Sequence, residues 1–351
     1  MPDNLSSANA EGEQGAVATA VRELIQGVRA GEPLRAGGLT LVPLLPATEQ
    51  VKRHSGYLPL EEALRRNLVT ITEQARATVP ELTATSTAET PVVLVGGEQV
   101  IGGLQNRVLN TTILVAAHVT QPIPVTCVEA GRWHDSNAYS ASYDAGAPTS
   151  GESAQQTEEA FQAARRFRSE EAAYAKLRHM HAKAVTSSLS SGGGYRSDQG
   201  AVWGEVSARM MSSGSFSPSN AMDTLYKVPE RANKLKETVD ALKRPEGALG
   251  FVAMLGSDVL GAEVFTDESL ADAYWEKLAR SYAVEALDAD TSGDGDAKNG
   301  AMDATAINVG EARLLADALA ADIQVHPSPG LGKDARLVGR HVSGAGLVYD
   351  G

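Results

Sequence analysis

Between Gly96 and Asn110 the chain reads GGEQVIGGLQNRVLN, gathering a carboxylate (Glu98), two amides (Gln105, Asn106) and a permanent cation (Arg107) around tight, glycine-rich backbone. Further on, IPVTCVEAGRW adds Glu129 and Arg132. Such a set suits a polar ligand. The guanidinium groups of Arg107 and Arg132 present planar forks of donors that clamp a phosphate or carboxylate. Glu98 and Glu129 offer paired carboxylates, one to act as acid and the other as base or nucleophile. The same residues fit a second reading, in which Glu98 pairs with an arginine and Asn106 and Arg107 tie loops together, because ion-pair networks imitate sites.

Other reactive side chains are weaker candidates. Cys127 becomes a nucleophile only beside a base such as His118 or His134; otherwise it is a buried, inert thiol. His179 and His181, two apart on a helix, point in different directions and make a poor metal pair. Gly192-Gly193-Gly194 reads as a connector, since no strand precedes it and no Gly-Lys-Ser/Thr follows. The loop Asp288–Asn299 places Asp288, Asp290, Ser292, Gly293, Asp294 and Asp296 in the pattern of a calcium-binding loop. It ends on Asn299 where the bidentate glutamate belongs, so a solvated acidic insertion with poor calcium affinity is expected. No metal and no cofactor are called for.

The elements that must position these groups follow from periodicity. Residues 1–14 are polar and small and read as a disordered leader. From Ala16 the spacing of Val17, Val21, Leu24, Ile25 and Val28 predicts a helix ending near Gly31. Leu39–Leu45 and Val69–Glu73 read as strands, with a short helix after Pro59 between them. Glu81–Ser86 and Pro91–Val95 read as a hairpin, and Thr112–Val115 and Ile123–Val128 as further strands, favouring a sandwich or partly closed sheet. Thr157–Val185 has a seam of Ala160, Ala163, Phe167, Tyr174, Leu177, His181 and Ala184, and reads as a long helix. That helix either mediates self-association or packs on its own domain. Helices follow around Trp203, after Pro229 and near Val309–Ile323; Ala248–Leu255 and Val259–Phe265 form a hairpin, and a helix capped at Thr266 or Asp267 comes next. Pro327–Gly351 is expected to return as edge strands. The fold class is thus α+β, a β-rich, sandwich-like lobe (15–134) and a helix-plus-hairpin lobe (216–351) sharing one core, joined by a loop and helical insertion (135–215).

Composition excludes several functions. At 351 residues with 42% hydrophobic content the chain can bury a full core. Net charge is −13, which repels nucleic-acid phosphate and anionic membranes, so neither is an expected partner. One cysteine rules out an internal disulfide and any Cys-based zinc cluster. No run of about 18 apolar residues exists to span a bilayer, and the N-terminus lacks the basic and apolar regions of a secretory signal. A cytoplasmic protein is expected.

The run GGEQVIGGLQNRVLN followed by IPVTCVEAGRW resembles the ADP-ribosylglycohydrolase and rhodanese-phosphatase-superfamily-associated protein domain family. The resemblance extends to LPLEEALRRNLVTITE, YRSDQGAVWGEV, GALGFVAMLGSDVLGAEVF, GLGKDARLVGR and GAGLVYDG. It implies a link to NAD-derived and ADP-ribose metabolism, inferred from gene neighbourhoods. The matching polar positions are Glu98, Gln105, Asn106, Arg107, Glu129, Arg132 and Trp133, with Gln199 and Trp203 as a second group. The resemblance thus points to a site that binds an ADP-ribose-like or nucleotide metabolite, with Trp133 or Trp203 as a stacking surface for adenine and hydrolysis through Glu98 or Glu129. The competing expectation is a non-catalytic structural or self-assembling protein in which the same residues form a buried network.

Overall fold

The computed structural model describes residues 3–48, 56–74, 80–131, 166–291 and 304–349. Helix α1 spans Asp3–Gln26 and takes in most of the segment read as a leader. Leu5, Ala8, Ala10, Glu11, Glu13 and Gln14 are good helix formers, so the helix propagates back from its packed half. It stops before Gly31 because strand β1 (Val28–Ala30) pairs antiparallel with β3 (Leu39–Pro46), which also pairs with β2 (Leu34–Ala36).

After the two-residue β4 (Leu58–Pro59), helix α2 (Leu60–Arg65) follows Pro59 and ends at Asn67, whose φ of 58° breaks the helix. The strands that follow are β5 (Val69–Glu73), β6 (Glu81–Ser86), β7 (Val92–Leu94), β8 (Gln99–Val100), β9 (Arg107–Leu109), β10 (Ile113–Val115) and β11 (Thr120–Cys127). They build two sheets, β5-β6-β11-β9-β8 and β10-β7-β4. Leu82, Ala84, Ile123 and Val125 of the first meet Val92, Leu94, Ile113 and Val115 of the second in one apolar cluster, as expected of a sandwich.

The hairpin expected between Glu81–Ser86 and Pro91–Val95 does not form. Strand β6 lies between β5 and β11, while β7 lies between β10 and β4. Burial explains the separation. Along β6, buried residues alternate with more exposed ones, so one face is covered, whereas all three residues of β7 are buried and need cover on both faces.

The second half contributes α3 (Ala175–Ser190), α4 (Gln199–Ser212), α5 (Thr224–Lys227), α6 (Pro229–Ala241), β12 (Gly250–Leu255), β13 (Asp258–Val264), α7 (Glu268–Thr291), α8 (Ala304–Ala320), β14 (Asp322–Pro327), β15 (Lys333–Val338) and β16 (Ser343–Val348). Strand β12 pairs with both β13 and β3, so the earliest strands share a five-stranded sheet with the C-terminal hairpin. The largest apolar cluster joins Leu39, Leu41, Val93 and Leu114 to Phe251, Tyr274 and Leu278, which makes the core common to both halves. Asp267 caps α7 by accepting from the backbone of Ser269 at 2.7 Å and Leu270 at 3.2 Å. The last three strands form a meander of their own, β14-β15-β16, covered by α1, and are not edges of another sheet.

The long helix expected over Thr157–Val185 starts only at Ala175. Residues 157–165 lie outside the described residues, and residues 166–174 form an extended strap. Arg168 bridges to Ile101 and Ala172 to Glu98, with Gln99 N donating to Glu171 O and Ala173 N to Gly97 O. The strap satisfies its backbone on the edge at β8 instead of within a helix. Phe167 enters the sandwich core; Tyr174 and Leu177 enter the main one. The described part of the seam therefore packs within its own chain. Helix α7 runs into the acidic segment, so Asp288 is helical and held by Arg209 at 2.7 Å and Arg231 at 2.6 Å; residues 292–299 of that segment lie outside the described residues.

Candidate functional site

Glu98 stands between Gly97, whose φ is +83°, and strand β8, and it faces inward with 1% of its surface exposed. Its Oε1 accepts from Ser169 Oγ at 2.6 Å and Lys277 Nζ at 2.8 Å, and its Oε2 accepts from Val95 N at 3.2 Å and Tyr274 OH at 3.4 Å. The strap, the residue that follows β7, and α7 all meet on this one carboxylate. Lys277 also reaches Glu61 on α2 at 2.9 Å and the Ser169 carbonyl at 3.2 Å. Burial pushes the Lys277 ammonium down, but Glu98 and then Glu61 more than offset it, so its pKa ends above the ordinary lysine value. A protonated lysine cannot take the proton of Ser169, although their side-chain atoms lie 3.2 Å apart. The hydroxyl instead donates to Glu98 Oε1 at 2.6 Å.

A second knot forms around Glu129. Its Oε2 accepts from Asn106 N at 3.0 Å, its Oε1 from Ser219 Oγ at 2.6 Å, and its carbonyl from Gln105 Nε2 at 2.8 Å. Asn106 Nδ2 donates to Asp223 at 3.2 Å, and its Oδ1 accepts from Gly102 N at 3.1 Å. Arg107 is fully buried; its Nη1 donates to Gln105 O at 2.9 Å, and its Nη2 lies 3.8 Å from Glu73. Gln199, at the start of α4, brackets Cys127 by accepting from its N–H at 2.9 Å and donating to its carbonyl at 2.8 Å.

Cys127 points its thiol at Gln105 Oε1, 2.9 Å away. Burial, opposed by Arg107 and reinforced by Glu73 and Glu129, pushes its pKa up to about 11. His118, one of the two bases considered for it, pairs at the surface with Glu89 at 3.2 Å. The thiol is therefore protonated and unpartnered by a base among the described residues.

A third knot ties the sandwich to the C-terminal sheet. His181 Nε2 lies 3.0 Å from Asn110 Oδ1 and 3.2 Å from Thr126 Oγ1, and burial together with Arg336 lowers its pKa to about 4. Thr111 donates to Asp334 in a very short contact and accepts from Arg336 at 2.8 Å.

The structure thus brings Gln105, Asn106, Arg107, Glu129 and Gln199 into one network and places Glu98 in another. Trp203 sits one turn further along α4, half-buried, and Arg132, Trp133 and His134 lie outside the described residues. Glu73, Ser169, Ser219, Asp223, Tyr274 and Lys277 join these networks without having been singled out from sequence. Lys277 was the readable one: it follows Leu270 and Tyr274 at helical spacing, on the stripe of α7 that should have been apolar.

Among the described residues no group of three or more His, Cys, Asp or Glu could hold a metal ion, and no helix is long and apolar enough to cross a membrane. No curated protein and no solved structure matches the chain. A family model does match, over residues 27–351, spanning every described strand and the buried networks. The chain belongs to the family of the ARG and Rhodanese-Phosphatase-superfamily-associated Protein domain.

Proposed function

We propose that this chain is a non-catalytic binding or interaction protein whose polar motif, Glu98 to Glu129, is its internal frame. One observation carries the reading. Glu98 is 1% exposed and both of its oxygens are engaged by the protein, on groups drawn from the strap, the residue after β7, and α7. A carboxylate in that position is turned toward protein groups on both oxygens, and removing it would leave the buried Lys277 with only the half-exposed Glu61 as its carboxylate partner. Arg107, likewise buried, lends its guanidinium to Gln105 and Glu73.

The competing reading, a site for an ADP-ribose-like or nucleotide metabolite hydrolysed through Glu98 or Glu129, draws support from the motif's resemblance and from the concentration of polar groups there. Incubating the full chain with ADP-ribose and with NAD, and melting Glu98→Gln beside the wild type, separates the two. The frame reading expects no product and a melting temperature lowered by many degrees. Product from the wild type, lost in a Glu98→Gln variant that melts normally, would establish the enzyme instead.

A further inference from the structure

A cleft of about 1670 Å³ is bounded by α1, β13, α8, β16 and the β15–β16 turn, and reaches the backs of Val93 and Val95 behind the Glu98 network. It exceeds the roughly 300–1,000 Å³ of ordinary small-molecule pockets, so a ligand using its length is elongated. Its floor and walls are mainly aliphatic. Val21, Leu24 and Ile25 come from α1, Val259 and Leu260 from β13, and Leu314 from α8. Helix α8 closes one side tightly, since a Cβ on Gly310 would stand 2.7 Å from Met254 Cε.

The rim differs. Lys183 reaches it from α3, Arg313 from α8 and Arg340 from the β15–β16 turn. His179, one turn before Lys183 on the same helix face, lies over Gly261; burial and the neighbouring Arg178 lower its pKa, leaving it a neutral hydrogen-bonding group. His341 completes the turn's contribution. Three carboxylates also face the cleft: Glu23, Asp317 and Glu263. Glu263 is already neutralised by Arg178 and accepts from Tyr282 OH at 2.9 Å. The remaining balance favours cations, in a chain whose net charge is −13.

We infer that this cleft is a binding site for an elongated amphiphile, with its apolar body along α1, β13 and α8 and its anionic head, phosphate or carboxylate, at Lys183 and Arg340. Burial of the body supplies affinity, and the rim cations fix which end points out. The α1 wall precedes the family-matched span of 27–351, so part of the selectivity is set by residues outside that match. The inference stands apart from the reading of the buried motif, since none of Glu98, Gln105, Asn106, Arg107 or Glu129 lines the cleft.

Calorimetric titration of the full chain with decyl phosphate and with decanoate, both below their micelle concentrations, tests it. Saturable one-to-one binding of at least one probe is expected, the tighter of the two identifying the head group. Ala262 is exposed on β13 and lines the cleft, so Ala262→Trp should abolish binding. Reversing the exposed Lys183 and Arg340 to Glu together should weaken it at least tenfold. Should Ala262→Trp also lower the melting temperature, the exposed Arg313→Glu replaces it, with a loss of severalfold expected. No saturable heat with either probe, undiminished binding by the filled and charge-reversed variants, or binding of ADP-ribose but of neither probe would each overturn the inference.

Discussion

Glu98 and Lys277 lie 179 residues apart in sequence and 2.8 Å apart in space, each almost wholly buried. Their ion pair bolts helix α7 to the turn that opens β8. Removing Lys277 leaves the Glu98 carboxylate in a low-dielectric interior, at a cost of about 3–5 kcal/mol, whereas removing Glu98 leaves Lys277 its second partner, Glu61, at 2.9 Å. Lys277→Met should destabilise by that order in urea unfolding, Glu98→Gln by less, and the double variant by clearly less than their sum. Strict additivity would mean that the two side chains are energetically independent.

His181 sets a pH dependence. Its pKa is about 4 in the folded chain against an ordinary 6.5, so between those values the unfolded chain binds a proton that the folded one does not. Stability therefore falls as pH falls through that window, by about 3 kcal/mol in total. Denaturant midpoints from pH 7 to pH 4 should drop more steeply for the wild type than for His181→Gln. Parallel curves would remove His181 as the cause.

Cys127 should be silent to thiol reagents. With its pKa raised to about 11 and its side chain buried, almost no accessible thiolate exists at neutral pH. Ellman's reagent at pH 8 is expected to label it only after denaturation; rapid stoichiometric labelling of the folded chain would show an opened pocket.

Phe167 fills the sandwich core, and its ring leaves no room for a side chain at Gly103, where a Cβ would stand 2.3 Å from Cζ. Phe167→Ala should cost about 3–5 kcal/mol, the usual range for an emptied aromatic site. Light scattering at matched folded fraction should show no change of mass, because the residue faces its own core. A lower mass with unchanged stability would restore the seam as an interface.

Local pattern settled much of the architecture. The alternation in Val69–Glu73 and Glu81–Ser86, the apolar runs at Leu39–Pro46 and Gly250–Leu255, the proline before α2 and the aspartate capping α7 are nearest-neighbour effects, and they appear where periodicity and capping place them. The polar cluster of the motif was legible too, since glycines flanking Glu98, Gln105, Asn106 and Arg107 mark close approach of backbone to polar groups. Partners were not legible. Nothing near Glu98 in sequence announces Ser169 or Lys277, and the seam through Phe167 and Tyr174 has helical spacing although the edge at β8 offers its backbone better bonds as a strap. Which groups meet a buried polar residue depends on distant packing, and only the placement of α7, the strap and the loop after α4 brought Lys277 and Ser169 to Glu98 and Ser219 to Glu129.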